Sequence, residues 1–103
     1  MLSIRFDDDH EWWASGQIFE RLFRSALAHG QLAPALEEWR HFADANGGFS
    51  MAAIDPAIAH ALRVGLRAAA GAELERLGKT DLQPDEATYK VSLQKLLAVT
   101  DGL

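Results

Sequence analysis

The 103-residue chain carries ten basic and fifteen acidic residues, for a formal net charge of −5, and 49% of its residues are hydrophobic. This composition is typical of one globular domain and excludes a mostly disordered chain. The sequence has no cysteine, which excludes disulfides and thiolate metal sites. No apolar run approaches the ~20 residues that span a bilayer, and no signal peptide is visible. We therefore predict a single helical domain over 1–103, located in the cytoplasm and without membrane contact.

The first residues alternate in polarity. Leu2, Ile4 and Phe6 are separated by polar residues, and this period of two predicts a short, half-buried strand. Because a lone strand cannot satisfy its own backbone groups, it must pair with a symmetry mate or with another segment, or remain extended chain packed on the core.

The next segment predicts a first helix from about His10 to His29. Asp8 or Asp9 is a suitable N-cap, and Gly30 is a suitable stop just past the C-terminus. In this helix Trp13 lies at the edge of the apolar stripe rather than in its centre. The stripe consists of Trp12, Phe19, Leu22, Phe23, Ala26 and Leu27.

A second helix is predicted from near Pro34 to the Asn46-Gly47-Gly48 stop signal. Its apolar line is Leu32, Leu36, Trp39 and Ala43, with Phe42 to one side.

A third helix is predicted from Pro56, with Asp55 as N-cap, to about Leu77. We expect its buried face to have two halves with Gly65 between them, where a neighbouring helix approaches closely. The large-residue half is Ile58, Leu62 and Leu66, and the small-residue half is Ala57, Ala61, Val64, Ala68 and Ala72.

A fourth helix is predicted from near Pro84 to about Val99, although the alternation over 89–93 leaves a strand as the alternative. The loops are short, which favours antiparallel neighbours. We therefore predict an all-α or mostly α fold: a small antiparallel bundle of about four helices with a short N-terminal extended segment.

One residue pair has the spacing of a metal site. Glu38 and His41 share a helix face, as the Glu-x-x-His pairs of di-iron bundles do, and in a dimer Glu20 could act as a bridge. Leu36, Trp39 and Ala43, however, define the core side of this helix, so both residues should face water in a monomer. A dimeric metal-binding bundle is therefore the alternative function, and we predict no metal and no cofactor.

The sequence has no glycine-rich phosphate loop, no Gly-x-Ser-x-Gly turn and no His-Glu-x-x-His motif, so we predict a protein that is not an enzyme. His60, Arg63 and Arg67 share a polar helix face that could bind an anion or DNA. The negative net charge counts against a nucleic-acid partner, and we predict none.

The strongest functional signal lies at the N-terminus, where residues 1–11 hold one base and four acids, for a net charge of −3. A helix cap needs only one or two acids. The remaining acids lie beside Trp13, which is not in the centre of the apolar stripe. Tryptophan is enriched at binding hot spots, and surrounding acids would select a basic partner. The ordinary alternative is a boundary tryptophan covered by its own chain, with acids that serve solubility. The predicted partner-binding residues are Asp7, Asp8, Asp9, Glu11 and Trp13.

These observations predict a non-catalytic protein-interaction module that binds a basic protein. Immunity proteins, antitoxins and small adaptors have this general size and charge, and the Ala-, Leu- and Arg-rich composition suggests a bacterial source. A homodimer is a further expectation. The N-terminal strand could pair with its twin, or the small-residue half of the third helix could dock a helix of a second chain.

Overall fold

The computed structural model describes residues 1–78 and 81–102, which form a three-stranded sheet and four α-helices. The strands are β1 (Leu2–Asp7), β2 (His10–Ala14) and β3 (Gly48–Ser50). The helices are α1 (Gly16–Ala28), α2 (Glu38–Asn46), α3 (Pro56–Leu77) and α4 (Pro84–Thr100). Short 3-10 turns precede α2 at Pro34–Glu37 and follow β3 at Met51–Ala53.

The predicted N-terminal strand is confirmed, and its partners lie within the same chain. The strand order is β2-β1-β3, with β1 antiparallel to β2 and parallel to β3. Since both edges of β1 are occupied, β1 cannot pair with the β1 of a second chain in this fold. The free edges of the sheet belong to β2 and β3.

The predicted start of the first helix is wrong. α1 begins at Gly16, and its N-cap is Ser15, whose Oγ accepts a hydrogen bond from the Ile18 backbone N–H at 3.1 Å. Asp8 and Asp9 are not caps but occupy the turn between β1 and β2. The reason is that the double tryptophan favours a strand and that residues 10–14 gain a ready partner in β1.

The second helix was predicted to start near Pro34, but Pro34–Glu37 form a 3-10 turn and α2 begins at Glu38. Other helix ends follow their local signals. Gly47 ends α2 with a φ of 72°, and the Asp55 carboxylate caps α3 by accepting from the Ala57 N–H at 2.8 Å. α3 runs to Leu77 as predicted. α4 runs through residues 89–93, so the strand alternative there is wrong.

The core lies where α3 packs against α1 and α4 and where β2 packs against α4. Trp12 is 1% exposed, and its indole Nε1–H donates to the Ser92 carbonyl of α4 at 2.9 Å. The close approach predicted at Gly65 is confirmed, since a Cβ there would lie 2.3 Å from Leu32 Cδ2 and 2.4 Å from the Gln31 carbonyl oxygen. The neighbour is the loop after α1 rather than another helix.

The small-residue half predicted for the buried face of the third helix is largely wrong. Ala57, Ala61 and Ala68 are exposed, Val64 is 50% exposed, and Ala72 is half-buried. The buried face of α3 instead consists of Leu62, Gly65, Leu66, Ala69, Ala70, Glu73 and Leu77. The error arises because α3 is apolar around most of its circumference, so periodicity alone does not identify which side meets the core.

The predicted mostly helical fold is confirmed, with four helices and a small N-terminal sheet in the described residues. The antiparallel arrangement of a bundle stays a prediction. Within the described part of the chain, no helix is long and apolar enough to cross a membrane.

Candidate functional site

The predicted partner-binding residues lie on a β-hairpin, which we call the acidic hairpin and define as Asp7, Asp8, Asp9, Glu11 and Trp13. Asp7 ends β1, and its Oδ1 accepts a hydrogen bond from the Asp9 backbone N–H at 2.8 Å. His10 Nδ1 lies 2.6 Å from the same oxygen and must donate to it, because an ionised carboxylate only accepts. The hydrogen bond from the His10 side chain, and to a lesser extent the one from the Asp9 N–H, hold the pKa of Asp7 below its usual value. Asp7 therefore shapes the turn.

Asp8 and Asp9 are the acids at the tip of the acidic hairpin. Both side chains are exposed, and neither carboxylate has a hydrogen bond or ion pair with any residue in the described part of the chain. Two adjacent, solvated negative charges on a protruding turn can attract a cationic surface before contact, because their field is not cancelled by a neighbouring base.

The outward face of β2 presents Glu11 and Trp13. Side chains two residues apart in a strand share a face. Across the strand pair, Arg5 of β1 lies opposite Glu11, and Ser3 lies opposite Trp13. Ser3 Oγ donates to Glu11 Oε1 at 2.6 Å, and Arg5 lies 3.4 Å from Glu11 Oε2. Trp13 is 57% exposed. The indole therefore stands on an open sheet face next to a carboxylate of fixed orientation.

The structure brings these five residues onto one hairpin but not into one cluster. Trp13 lies four residues from Asp9, the last residue of the turn before β2, and four residues of extended chain span roughly 14 Å. In the helix predicted from the sequence, the same separation would be about 6 Å. The acidic hairpin thus offers two contact points, a charged tip and an aromatic face.

The residues of the metal-site alternative do not converge. Glu38 and His41 are both exposed, as predicted for a monomer, and Glu20 instead pairs with Arg24 at 2.7 Å and with Arg40 at 3.5 Å. Among residues 1–78 and 81–102, no group of three or more histidine or carboxylate side chains could hold a metal ion. A site shared between two chains stays a prediction.

We expect metal loading to give less than one bound ion per two chains. Tight sites for zinc, iron and manganese need several converging ligands, and one exposed Glu-His pair supplies too few. Elemental analysis of protein loaded with each metal and then desalted checks this result. A stoichiometric ion that is lost in a His41→Ala variant would restore the metal-binding alternative.

We call the polar face of α3 that carries His60, Arg63 and Arg67 the basic strip. These three residues are not a set of solvated cations. Arg67 donates to the Leu97 carbonyl at 3.0 Å and to Thr100 Oγ1 at 2.6 Å, where it satisfies the C-terminal end of α4. His60 and Arg63 lie 3.1 Å apart on the exposed side. The strip therefore has a structural role at one end, which weakens it as an anion site.

Sequence reasoning missed a buried arginine. Arg40 is 8% exposed, and its guanidinium is surrounded by Glu37 at 3.4 Å, Glu20 at 3.5 Å and Asp44 at 3.8 Å. The three carboxylates compensate the buried charge and tie α2 to α1. The available signal was the spacing of Glu37 and Asp44, three before and four after Arg40, which places both on its helix face.

A second missed feature links α1, α3 and α4 through Tyr89. Its hydroxyl donates to the buried Glu73 at 3.3 Å, and Glu73 also accepts from Arg76. The Arg21 guanidinium carbon lies 4.0 Å from the centre of the Tyr89 ring, and Arg21 forms two hydrogen bonds with Glu86, at 2.9 and 2.8 Å. These contacts hold the helices together.

Burial raises the pKa of the Tyr89 hydroxyl, and the negative charge of Glu73 raises it further. We expect this tyrosine to stay protonated well above pH 10 in the folded protein, where an unfolded tyrosine ionises. Since the unfolded chain loses the proton first, the free energy of unfolding should fall as the pH rises above about 10. The chain has a single tyrosine, so tyrosinate absorbance reports on this group alone. Ionisation near pH 10 in the folded state would contradict the burial.

No protein-family model matches this sequence, and neither a curated protein nor a solved structure matches it significantly.

Proposed function

We propose that this protein is a non-catalytic interaction module that binds a basic protein through the acidic hairpin. The observation that carries the proposal is the 57% exposure of Trp13 on the outward face of a hairpin whose tip holds two unpaired carboxylates. A large aromatic side chain left in water costs hydrophobic free energy that a partner would recover. Tryptophan and arginine are the residues most often found at the centre of binding interfaces.

The two contact points have different roles in this proposal. Asp8 and Asp9 act at a distance, so they raise the rate at which a cationic partner arrives. Trp13 acts on contact, so it sets how slowly the complex dissociates. Glu11, oriented by Ser3 and Arg5, supplies a directional acceptor beside the indole.

The net charge of −5 agrees with a cationic partner and disfavours nucleic acid. A small bacterial immunity-, antitoxin- or adaptor-like protein is the class that this proposal favours, by size and charge alone. A homodimer through the exposed small-residue face of α3 is compatible with this role, because that face is on a different element from the acidic hairpin.

The first test is affinity capture from the source organism, with the wild-type protein as bait, followed by binding kinetics with the purified partner. We expect the double variant Asp8→Lys/Asp9→Lys to lower the association rate constant about tenfold at low salt and to flatten its salt dependence. We expect Trp13→Ala to raise the dissociation rate constant about thirtyfold, since hot-spot tryptophans contribute about 2 kcal/mol or more.

The matched control is Glu75→Lys/Asp81→Lys, which makes the same change in net charge with exposed acids outside the hairpin. This control should slow association much less than the hairpin variant does. A partner that binds the wild type, the hairpin variant and Trp13→Ala with equal rates would remove the acidic hairpin from the function.

A further inference from the structure

A second exposed aromatic surface lies at the opposite edge of the sheet from β2. Trp39 and Phe42 project from one side of α2 and meet Phe49 of β3, with ring centres 5.5 Å apart for Trp39–Phe42, 5.7 Å for Trp39–Phe49 and 6.4 Å for Phe42–Phe49. The ring planes are tilted by 54–67°. Phe42 is 45% exposed, although its two neighbours are partly buried. We call Trp39, Phe42 and Phe49 the aromatic cluster.

A carboxylate shares this surface. Glu38 lines a shallow cavity of about 270 Å³ together with Trp39 and Phe42. Its side chain is exposed and has no hydrogen bond or ion pair with any residue in the described ranges, whereas the neighbouring Glu37 pairs with Arg40. The cavity therefore presents two aromatic rings and one uncompensated negative charge.

The chemistry of this cavity selects a cation with a flat, weakly hydrated surface. Aromatic ring faces carry negative potential, so they attract a cation and repel an anion. The Glu38 carboxylate adds a charge that favours the same sign. A cavity of this size is small for a drug-sized molecule but suits a single side chain. Among protein side chains, the guanidinium of arginine stacks on aromatic rings and also forms two parallel hydrogen bonds with a carboxylate.

We propose that the aromatic cluster and Glu38 form a binding site for an arginine side chain of a partner protein. The guanidinium stacks on the exposed Phe42 ring and donates hydrogen bonds to Glu38, and Trp39, whose ring plane is at 60° to that of Phe42, lines the same cavity. This site does not depend on the acidic hairpin, because it lies on α2 and β3 and shares no residue with Asp8, Asp9 or Trp13. A partner with separate basic segments can occupy both.

The test is a nuclear magnetic resonance titration of the intact protein with the blocked tripeptide Gly-Arg-Gly. The control ligand is the same peptide with citrulline in place of arginine, because citrulline has the shape of arginine without its charge. We expect saturable shifts of the Phe42 ring and Trp39 indole signals at millimolar arginine peptide, and at least about fivefold weaker binding of the citrulline peptide. Trp39→Phe identifies the indole signal.

Three variants separate recognition from folding. Glu38→Gln keeps the size of the side chain and should weaken binding about threefold, the scale of an exposed ion pair. Phe42→Leu keeps an apolar side chain without a ring and should also weaken binding about threefold. Glu75→Gln removes an acid from α3 and should bind as the wild type does. Circular dichroism verifies that each variant is folded.

Three results would each overturn the proposal. The first is equal binding of the arginine and citrulline peptides. The second is wild-type affinity in both Glu38→Gln and Phe42→Leu. The third is a concentration-dependent dimer that Phe42→Leu abolishes in light scattering, since a second copy would then be the occupant. Asp8→Lys/Asp9→Lys and Trp13→Ala should leave the arginine titration unchanged, so failure of the proposed hairpin function and failure of this site give different results.

Discussion

Replacing Trp12 with alanine should destabilise the protein by about 3–5 kcal/mol, whereas the same replacement at Trp13 should cost about 1 kcal/mol at most. The two residues are neighbours in sequence, but β2 sends their side chains to opposite sides of the sheet. Trp12 is 1% exposed, packs against Phe19 with ring centres 6.4 Å apart, and donates to the Ser92 carbonyl. Its loss leaves a cavity and removes the hydrogen bond that joins β2 to α4.

Urea unfolding followed by circular dichroism measures both free energies. Fluorescence gives an independent check, because acrylamide should quench Trp13 readily and Trp12 poorly. A Trp13→Phe variant isolates Trp12 and Trp39, and a Trp12→Phe variant isolates Trp13 and Trp39. Similar losses of stability for Trp12→Ala and Trp13→Ala would contradict the strand at residues 10–14, in which Trp12 is buried and Trp13 faces outward.

Gly48→Ala should destabilise the protein by about 3 kcal/mol or more, from backbone strain and steric overlap together. Gly48 has a φ of 118°, a value that residues with a Cβ rarely adopt. A Cβ there would lie 1.7 Å from the Ser3 carbonyl oxygen and 2.6 Å from the Ser3 carbonyl carbon. These atoms belong to the backbone of β1, so relief requires β3 to separate from the central strand.

Gly47 is the matched control for this substitution. It also has a positive φ, of 72°, but a Cβ at this position would have no atom within 4 Å. Gly47→Ala should therefore cost about 1 kcal/mol, and Gly47→Asn less, because asparagine tolerates this conformation. Thermal unfolding of the three variants provides the comparison. If Gly48→Ala and Gly47→Ala prove equally stable, the close β1–β3 approach is wrong.

The start of α3 and the end of α2 were predictable because their causes are local. Asp55 followed by Pro56 starts a helix wherever it stands in space, since the carboxylate reaches a free N–H two residues later. Gly47 ends α2 because the left-handed conformation needed there suits a residue without a side chain. None of these effects requires a distant part of the chain.

The hairpin was not predictable in the same way. Asp8 and Asp9 are equally suitable as helix caps and as turn residues, and their neighbours fit an amphipathic helix as well as a strand. β1 decided the outcome by supplying cross-strand partners for Glu11, Trp12 and Trp13. The periodicity of residues 10–14 alone does not reveal these cross-strand contacts, because they form only when two segments of the chain meet.

The same distinction between local and long-range causes applies to the candidate sites. The sequence by itself determined a mostly helical fold and the surplus of acids at the N-terminus, because these follow from residue type and local spacing. Only the tertiary structure decided that Asp7 is bound by its own turn, that the tip lies far from Trp13, and that Phe42 and Trp39 meet Phe49. These three facts depend on how the strands align, and alignment is set by long-range packing and pairing, which no local pattern encodes.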